Sequence, residues 1–170
     1  FNKNNIKEPN LIDYLDLVSL GTVCDVVPLI GLNRAIVKQG LKVLKSKKNL
    51  GIKTLFDICK IEASPSVYHL GYLLGPRINA GGRVGKCSHG ANLLLNKDPK
   101  YSFKLASELD QFNKERQILE KDLLQKILNE PNDHSNDPVL ILSGYNWHEG
   151  VIGIVASRLK DKFNKPVIII

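Results

Sequence analysis

The sequence contains no methionine, a single tryptophan and only three cysteines among its 170 residues. Cys24, Cys59 and Cys87 stand far apart with no C-x-x-C pair, which argues against a disulfide framework. An odd number of isolated thiols suits a reducing compartment, so a cytoplasmic protein is expected. Histidine is scarce as well: of His69, His89, His134 and His148, His134 sits in a polar stretch and His69 in an apolar helix, and neither has a partner at metal-ligand spacing. No apolar run approaches the roughly 20 residues needed to cross a bilayer, the start lacks an apolar signal segment, and no repeat or low-complexity tract occurs. The missing Met at position 1, with an end inside the apolar run "PVIII", reads as a segment cut from a longer protein.

What is present is an ordinary globular composition, 43% hydrophobic and 24% charged, so disorder is not expected. Lys and Arg outnumber Asp and Glu 24 to 17, a formal charge of +7. That excess favours a polyanionic partner through Coulomb attraction and counterion release, although much of it is Lys scattered among Asn and Ile.

The apolar spacing predicts a helix-rich first part and a βαβ-like end. A helix from about Leu11 passes through or stops at Gly21 and is over by Pro28. "NRAIVKQGLKVLKS" places Ile36, Val37, Gly40, Leu41 and Leu44 on one face. Short helices fit "IKTLFDICKI", "SPSVYHLGYLL" and "SHGANLLLN", the last with Ser88 as N-cap. The clearest helix starts at Asp98 as N-cap with Pro99 at its first position. Its stripe of Leu105, Leu109, Phe112, Leu119, Leu123 and Ile127 is interrupted by Arg116. Thirty or so residues make a rod of about 45 Å, longer than a small core needs. The polar stretch at 129–138 is the linker candidate, after which "VLILSG", "VIGIVASRLKDKF" and "PVIII" read as strand, helix and strand.

Three stretches carry chemistry. "LGPRINAGGRVG", residues 74–85, combines four glycines with Arg77 and Arg83. Bare backbone beside planar guanidinium forks makes an anion-binding loop. The competing reading is a tight interhelix turn whose arginines satisfy helix C-terminal carbonyls. "LGTVCDVVPL" sets one carboxylate, Asp25, among valines near a helix C-terminus, where the macrodipole disfavours negative charge by roughly 0.3–1 kcal/mol. A divalent cation, an arginine or a hydrogen-bonded cap would each compensate. A two-metal centre needs several carboxylates or imidazoles, which Asp25 alone does not supply. "YNWHEGVIGIVASRL" puts Trp147 and His148 before a helix opened by Gly150 and Gly153. That is either an anion site on first-turn N–H groups or a glycine-eased helix–strand contact with Trp147 in the core.

"DLVSLGTVCDVVPLIGLNRAIVKQGL", "LGPRINAGGRVG" and "WHEGVIGIVASRLKDKFNKPVII", in this order and at these separations, closely resemble the RecJ family, single-strand-specific 5′→3′ DNA exonucleases of the DHH phosphoesterase superfamily. The resemblance implies an α/β architecture: the helix-rich C-terminal part of a DHH domain over 1–97, a long connecting helix over 98–130, a linker over 131–138, and the start of a βαβ DHHA1 domain over 139–170. It implies phosphodiester hydrolysis in DNA repair and recombination, dependent on Mn²⁺ or Mg²⁺ at a site completed outside these residues, so that this segment alone is expected to be inactive. Single-stranded DNA is the implied partner, with a repair helicase or single-strand-binding protein as further candidates. Asp25 matches the metal-binding aspartate of the family's "GTVAD" motif. Arg77, Asn79 and Arg83 match "PRINAAGR" beside the DNA path, and His148 falls in the motif that opens DHHA1, as a further nucleic-acid contact. Cys24 replaces a usual alanine, and Gly81–Gly82 stands where "AG" is usual. The Asp-His-His motif itself is not in these residues. The alternatives are a non-catalytic single-strand-binding relative, or a nano-RNase or cyclic-dinucleotide phosphodiesterase of the same superfamily.

Overall fold

The computed structural model describes residues 9–129 and 137–170. Seven of the linker positions expected at 129–138, residues 130–136, lie outside the described residues, among them His134 and the final residue of the expected long helix, Glu130. A 3-10 turn at Leu11–Tyr14 leads into α1 (Leu15–Cys24), followed by α2 (Gly31–Lys45), α3 (Leu50–Ile58), α4 (Gly75–Val84), α5 (Ser88–Leu95) and α6 (Pro99–Asn129). Then come β1 (Leu140–Leu142), α7 (Glu149–Phe163) and β2 (Val167–Ile169). The strands pair in parallel, Leu140 opposite Val167 and Leu142 opposite Ile169. A parallel pair needs a crossover, and α7 supplies it.

Two hydrophobic clusters result. The first joins Leu20, Leu44, Ile52, Leu55, Phe56, Leu70, Leu74 and Leu93 with Leu105 and Leu109 of α6. The second joins Leu140, Leu142, Val151, Val155 and Leu159 with Leu123 and Ile127, also of α6. One face of α6 therefore serves both cores, which explains its length. It starts as expected, with the Lys100 amide donating to the Asp98 carboxylate at 2.9 Å.

Two expectations are corrected. Residues 75–84 are not a loop but helix α4, continuous with a widened π-helical turn at His69–Leu74. Pro76 has no N–H to give the carbonyl four residues earlier, and the widened turn lies where that bond is missing. Three of the four glycines that suggested a loop, Gly75, Gly81 and Gly85, serve close packing instead. A Cβ on Gly75 would lie against Cys24 Sγ at 2.5 Å, and one on Gly81 would meet Leu109 at 3.0 Å. Ser88 is likewise not an N-cap. It is the first residue of α5, and Cys87 occupies the capping position without a side-chain bond.

Candidate nucleic-acid interface

Asp25 follows α1 at its C-cap, with φ −84° and ψ 7°. The helix closes on Val26 in the left-handed region, φ 55°, while the Val27 amide donates to Thr22 O at 3.2 Å and the Val26 amide to Val23 O at 3.1 Å. This pair of bonds is a Schellman closure, whose left-handed position usually holds glycine. A β-branched residue there costs about 1–2 kcal/mol, a strain of the kind found beside functional groups. The Asp25 side chain is exposed and has no hydrogen-bond or ion-pair partner among the described residues. Its charge still acts locally: burial, with the Asp25 carboxylate adding, pushes the Cys24 thiol up to about 11. The compensation expected for a carboxylate at a helix C-terminus is thus not supplied by an arginine or a cap.

Helix α4 sorts the basic residues of its motif onto two faces. Gly75, Asn79 and Arg83, each four residues apart, share one face, and all three line a cavity of about 190 Å³ with Cys24, Gly71, Pro76, Arg116 and Ile154. Asn79 and Arg83 are exposed. Arg77 faces the other way, into the α4–α6 contact. Its Nε donates to Asp110 Oδ1 at 2.9 Å and its Nη1 to the Leu73 carbonyl at 2.7 Å. Lys114 pairs with the second Asp110 oxygen at 2.7 Å. Burial pushes the Asp110 carboxyl up, but hydrogen bonds and charge from Lys114 and Arg77 outweigh this and hold it below its ordinary value. The structure therefore brings Asn79 and Arg83 together beside the end of α1, and places Arg77 in a structural ion pair that also satisfies a helix carbonyl.

Helix α7 closes the groove from the side through Ile154. His148 is its N-cap, its Nδ1 accepting from the Gly150 amide at 3.0 Å. That bond leaves the ring proton on Nε2 when the imidazole is neutral, so the exposed edge of His148 is a donor. Arg83 Nη1 donates to the Gly150 carbonyl at 3.2 Å. Only glycine fits at 150, because a Cβ there would overlap the Arg83 carbonyl oxygen and lie 2.8 Å from its carbon. Of the two readings of "WHEG", the packing contact is present, between α7 and α4 rather than against a strand. Trp147 packs against the second cluster.

Sequence reasoning missed a third wall. Asn113, Arg116 and Glu120 of α6 lie between the two cores. Arg116 bonds Asn113 Oδ1 through Nε at 3.3 Å and Nη2 at 3.0 Å, and Glu120 through Nη1 at 2.6 Å. Glu120 also pairs with Arg158 of α7. The available signal was the break in the α6 stripe at Arg116, which marks where the helix leaves one core and enters the other.

For a divalent metal the residues present fit in part. Asp25 offers a hard, unpartnered oxygen donor of the type Mn²⁺ and Mg²⁺ take. Among the described residues no three His, Cys, Asp or Glu side chains converge to hold an ion. His69 and His89 belong to the interior: His69 packs edge-on against Phe56, and His89 Nε2 pairs with Glu108 at 2.7 Å.

No protein-family profile matches the chain. Individual proteins do. The single-stranded-DNA-specific exonuclease RecJ of Dickeya dadantii is 42% identical over 99% of this chain, and that of Escherichia coli 41% over 99%. The Thermus thermophilus protein is 34% identical over 95%. The chain spans about 30% of the length of the first two. Among solved structures, RecJ from Thermus thermophilus in complex with Mg²⁺ superposes with a TM-score of 0.86 at 33% identity, covering 95% of this chain and 26% of that one. An exonuclease RecJ bound to manganese gives 0.86 at 32% identity, covering 99% and 42%. An α/β fold with a long helix between two cores, matched along nearly its whole length by these proteins, belongs to the RecJ family.

Proposed function

We propose that the full-length protein containing this chain is a Mn²⁺- or Mg²⁺-dependent exonuclease acting on single-stranded DNA in a reducing, cytoplasmic setting. Within it, residues 1–97 form the tail of the DHH domain, 98–130 the connecting helix and 139–170 the start of DHHA1. The observation that carries this reading is an exposed carboxylate at Asp25 without a protein partner among the described residues, next in sequence to Cys24, which lines one groove with Asn79 and Arg83 of α4, in a chain that follows metal-bound RecJ structures along nearly its whole length. When bound, the divalent ions supply positive charge that polarises a phosphoryl oxygen and lowers the pKa of water. The chain's own part is positional. Asp25 would hold an ion next to Cys24, which lines the groove, Arg83 and Asn79 would orient the phosphate backbone, and His148, exposed at the start of α7 outside that cavity, would donate from Nε2. Arg77 contributes by fixing α4 on α6 through Asp110 rather than by touching DNA.

Asp25→Ala in the full-length protein should abolish cutting while leaving the fold and single-strand binding in place, since Asp25 is exposed and unpaired. Cutting by this variant at near wild-type rate under saturating Mn²⁺ would remove Asp25 from the site.

A further inference from the structure

The buried face of α6 changes character between its two cores. Asn113 and Glu120 are 3% and 4% exposed, and with Arg116 they follow one another at three and four residues along one stripe. Burying a carboxylate costs several kcal/mol unless charge and hydrogen bonds offset it. Glu120 receives two arginines, Arg116 from its own helix and Arg158 from α7, so the cluster carries one positive charge in excess. That excess sits at a void. Arg116 lines the same cavity as Asn79 and Arg83. Of the five N–H donors of a guanidinium, three are taken by Asn113 and Glu120. The other two, one on each terminal nitrogen, have no protein partner among the described residues.

We propose that Arg116 is a phosphate-binding residue of the connecting helix, that it meets the same nucleic-acid backbone as Arg83, and that Glu120 is its positioning residue. This rests on the exonuclease reading and adds to it a wall contributed by α6. Arg116 is already held at both ends of its fork, so it can meet an anion without the side-chain ordering cost a free arginine incurs. Through Arg158, the same Glu120 ties the seating of α7 to the phosphate site, so that both halves of the chain close on one strand.

The test uses the full-length protein made unable to cut by Asp25→Asn, titrated with a fluorescent oligothymidylate over a series of salt concentrations. Arg116→Gln should make the log–log salt dependence shallower by about 0.7 per lost phosphate contact and weaken binding several-fold, as should Arg83→Ala. An unpaired structural role would lower thermal stability and leave the salt slope alone. A wild-type slope for Arg116→Gln beside a reduced slope for Arg83→Ala overturns this inference only, whereas no salt-dependent binding by the unsubstituted protein overturns the reading beneath it. Should Arg116→Gln fail to fold, Arg116→Lys decides. A lysine has three N–H donors, which Asn113 and Glu120 absorb, so affinity should fall in a folded protein, and wild-type affinity overturns the proposal. For Glu120, the effect of Glu120→Gln on affinity should vanish in the Arg116→Gln background. An equal loss in both backgrounds would show that Glu120 acts on the fold and not through Arg116.

Discussion

Gly150 and Gly153 stand three residues apart at the start of α7, and the structure assigns the same substitution opposite signs at the two positions. Replacing a helical glycine by alanine stabilises by up to about 1 kcal/mol, because less backbone entropy is lost on folding. At Gly153 nothing lies within 4 Å of an added Cβ, so Gly153→Ala should collect most of that gain. At Gly150 the new methyl overlaps the Arg83 carbonyl oxygen and sits 2.8 Å from its carbon. The obstacle is backbone held within α4, with no flexible side-chain end to yield. The oxygen contact, shorter than the one to carbon, sets the distance, so helix α7 must retreat by roughly 1.5–2 Å to reach the roughly 3.5–4.0 Å of ordinary contact. Overpacking of this kind costs about 1–3 kcal/mol. The retreat also stretches the Arg83–Gly150 bond at 3.2 Å and draws Arg158 from Glu120. At roughly 2–4 °C per kcal/mol for a chain of this size, Gly150→Ala should melt several degrees lower and Gly153→Ala a few degrees higher. Trp147, the only tryptophan, packs on the second cluster and reports its unfolding by fluorescence. If both variants are stabilised alike, α7 does not seat on α4 as described.

Two further expectations follow from titratable groups. The folded-state pKa of Asp110 is depressed, so its ion pairs stabilise fully above the unfolded value near 3.8 and are lost as pH falls through the lower folded value. Asp110→Asn should therefore cost about 1–3 kcal/mol at pH 7 and flatten the stability profile below pH ~4; an acid profile matching wild type would refute the Arg77–Asp110 assignment. Cys24, raised to about 11 by burial and by Asp25, stays a thiol at pH ~8, so iodoacetamide should label exposed Cys87 well before Cys24, and Asp25→Asn should quicken labelling at Cys24. Equal rates at the two cysteines in the unsubstituted protein would contradict the placement of Cys24 beneath Asp25.

Much of the architecture was legible because it rests on local chemistry. The Asp98–Pro99 start and three-and-four spacing of α6, the Val37, Gly40 and Leu44 face of α2, and the strand–helix–strand end all follow from capping and apolar period. The long rod was noticed as excess length, and its reason, service to two cores, needed both cores in view. The four-glycine stretch was misread because glycine marks either a turn or a close approach, and single-chain spacing does not distinguish them. Gly75 against Cys24 and Gly81 against Leu109 are close approaches, and once neighbours fill that space a glycine-rich segment is held as a helix by tertiary packing that overrides its propensity.

The sequence by itself determined the family, through three motifs in fixed order, and determined which residue types bring charge to the site: Asp25, the two arginines of α4, and a basic balance of +7. Only the tertiary structure decided what each charge does. Arg77 and Arg83 stand six residues apart in one motif, yet helix geometry turns one into the α4–α6 contact with Asp110 and the other toward the groove and Gly150. Arg116, distant in sequence and absent from any recognised motif, arrives at that groove because α6 passes from one core to the other there. Side-chain direction on a helix depends on its period, and which face looks on a cavity depends on neighbours far along the chain.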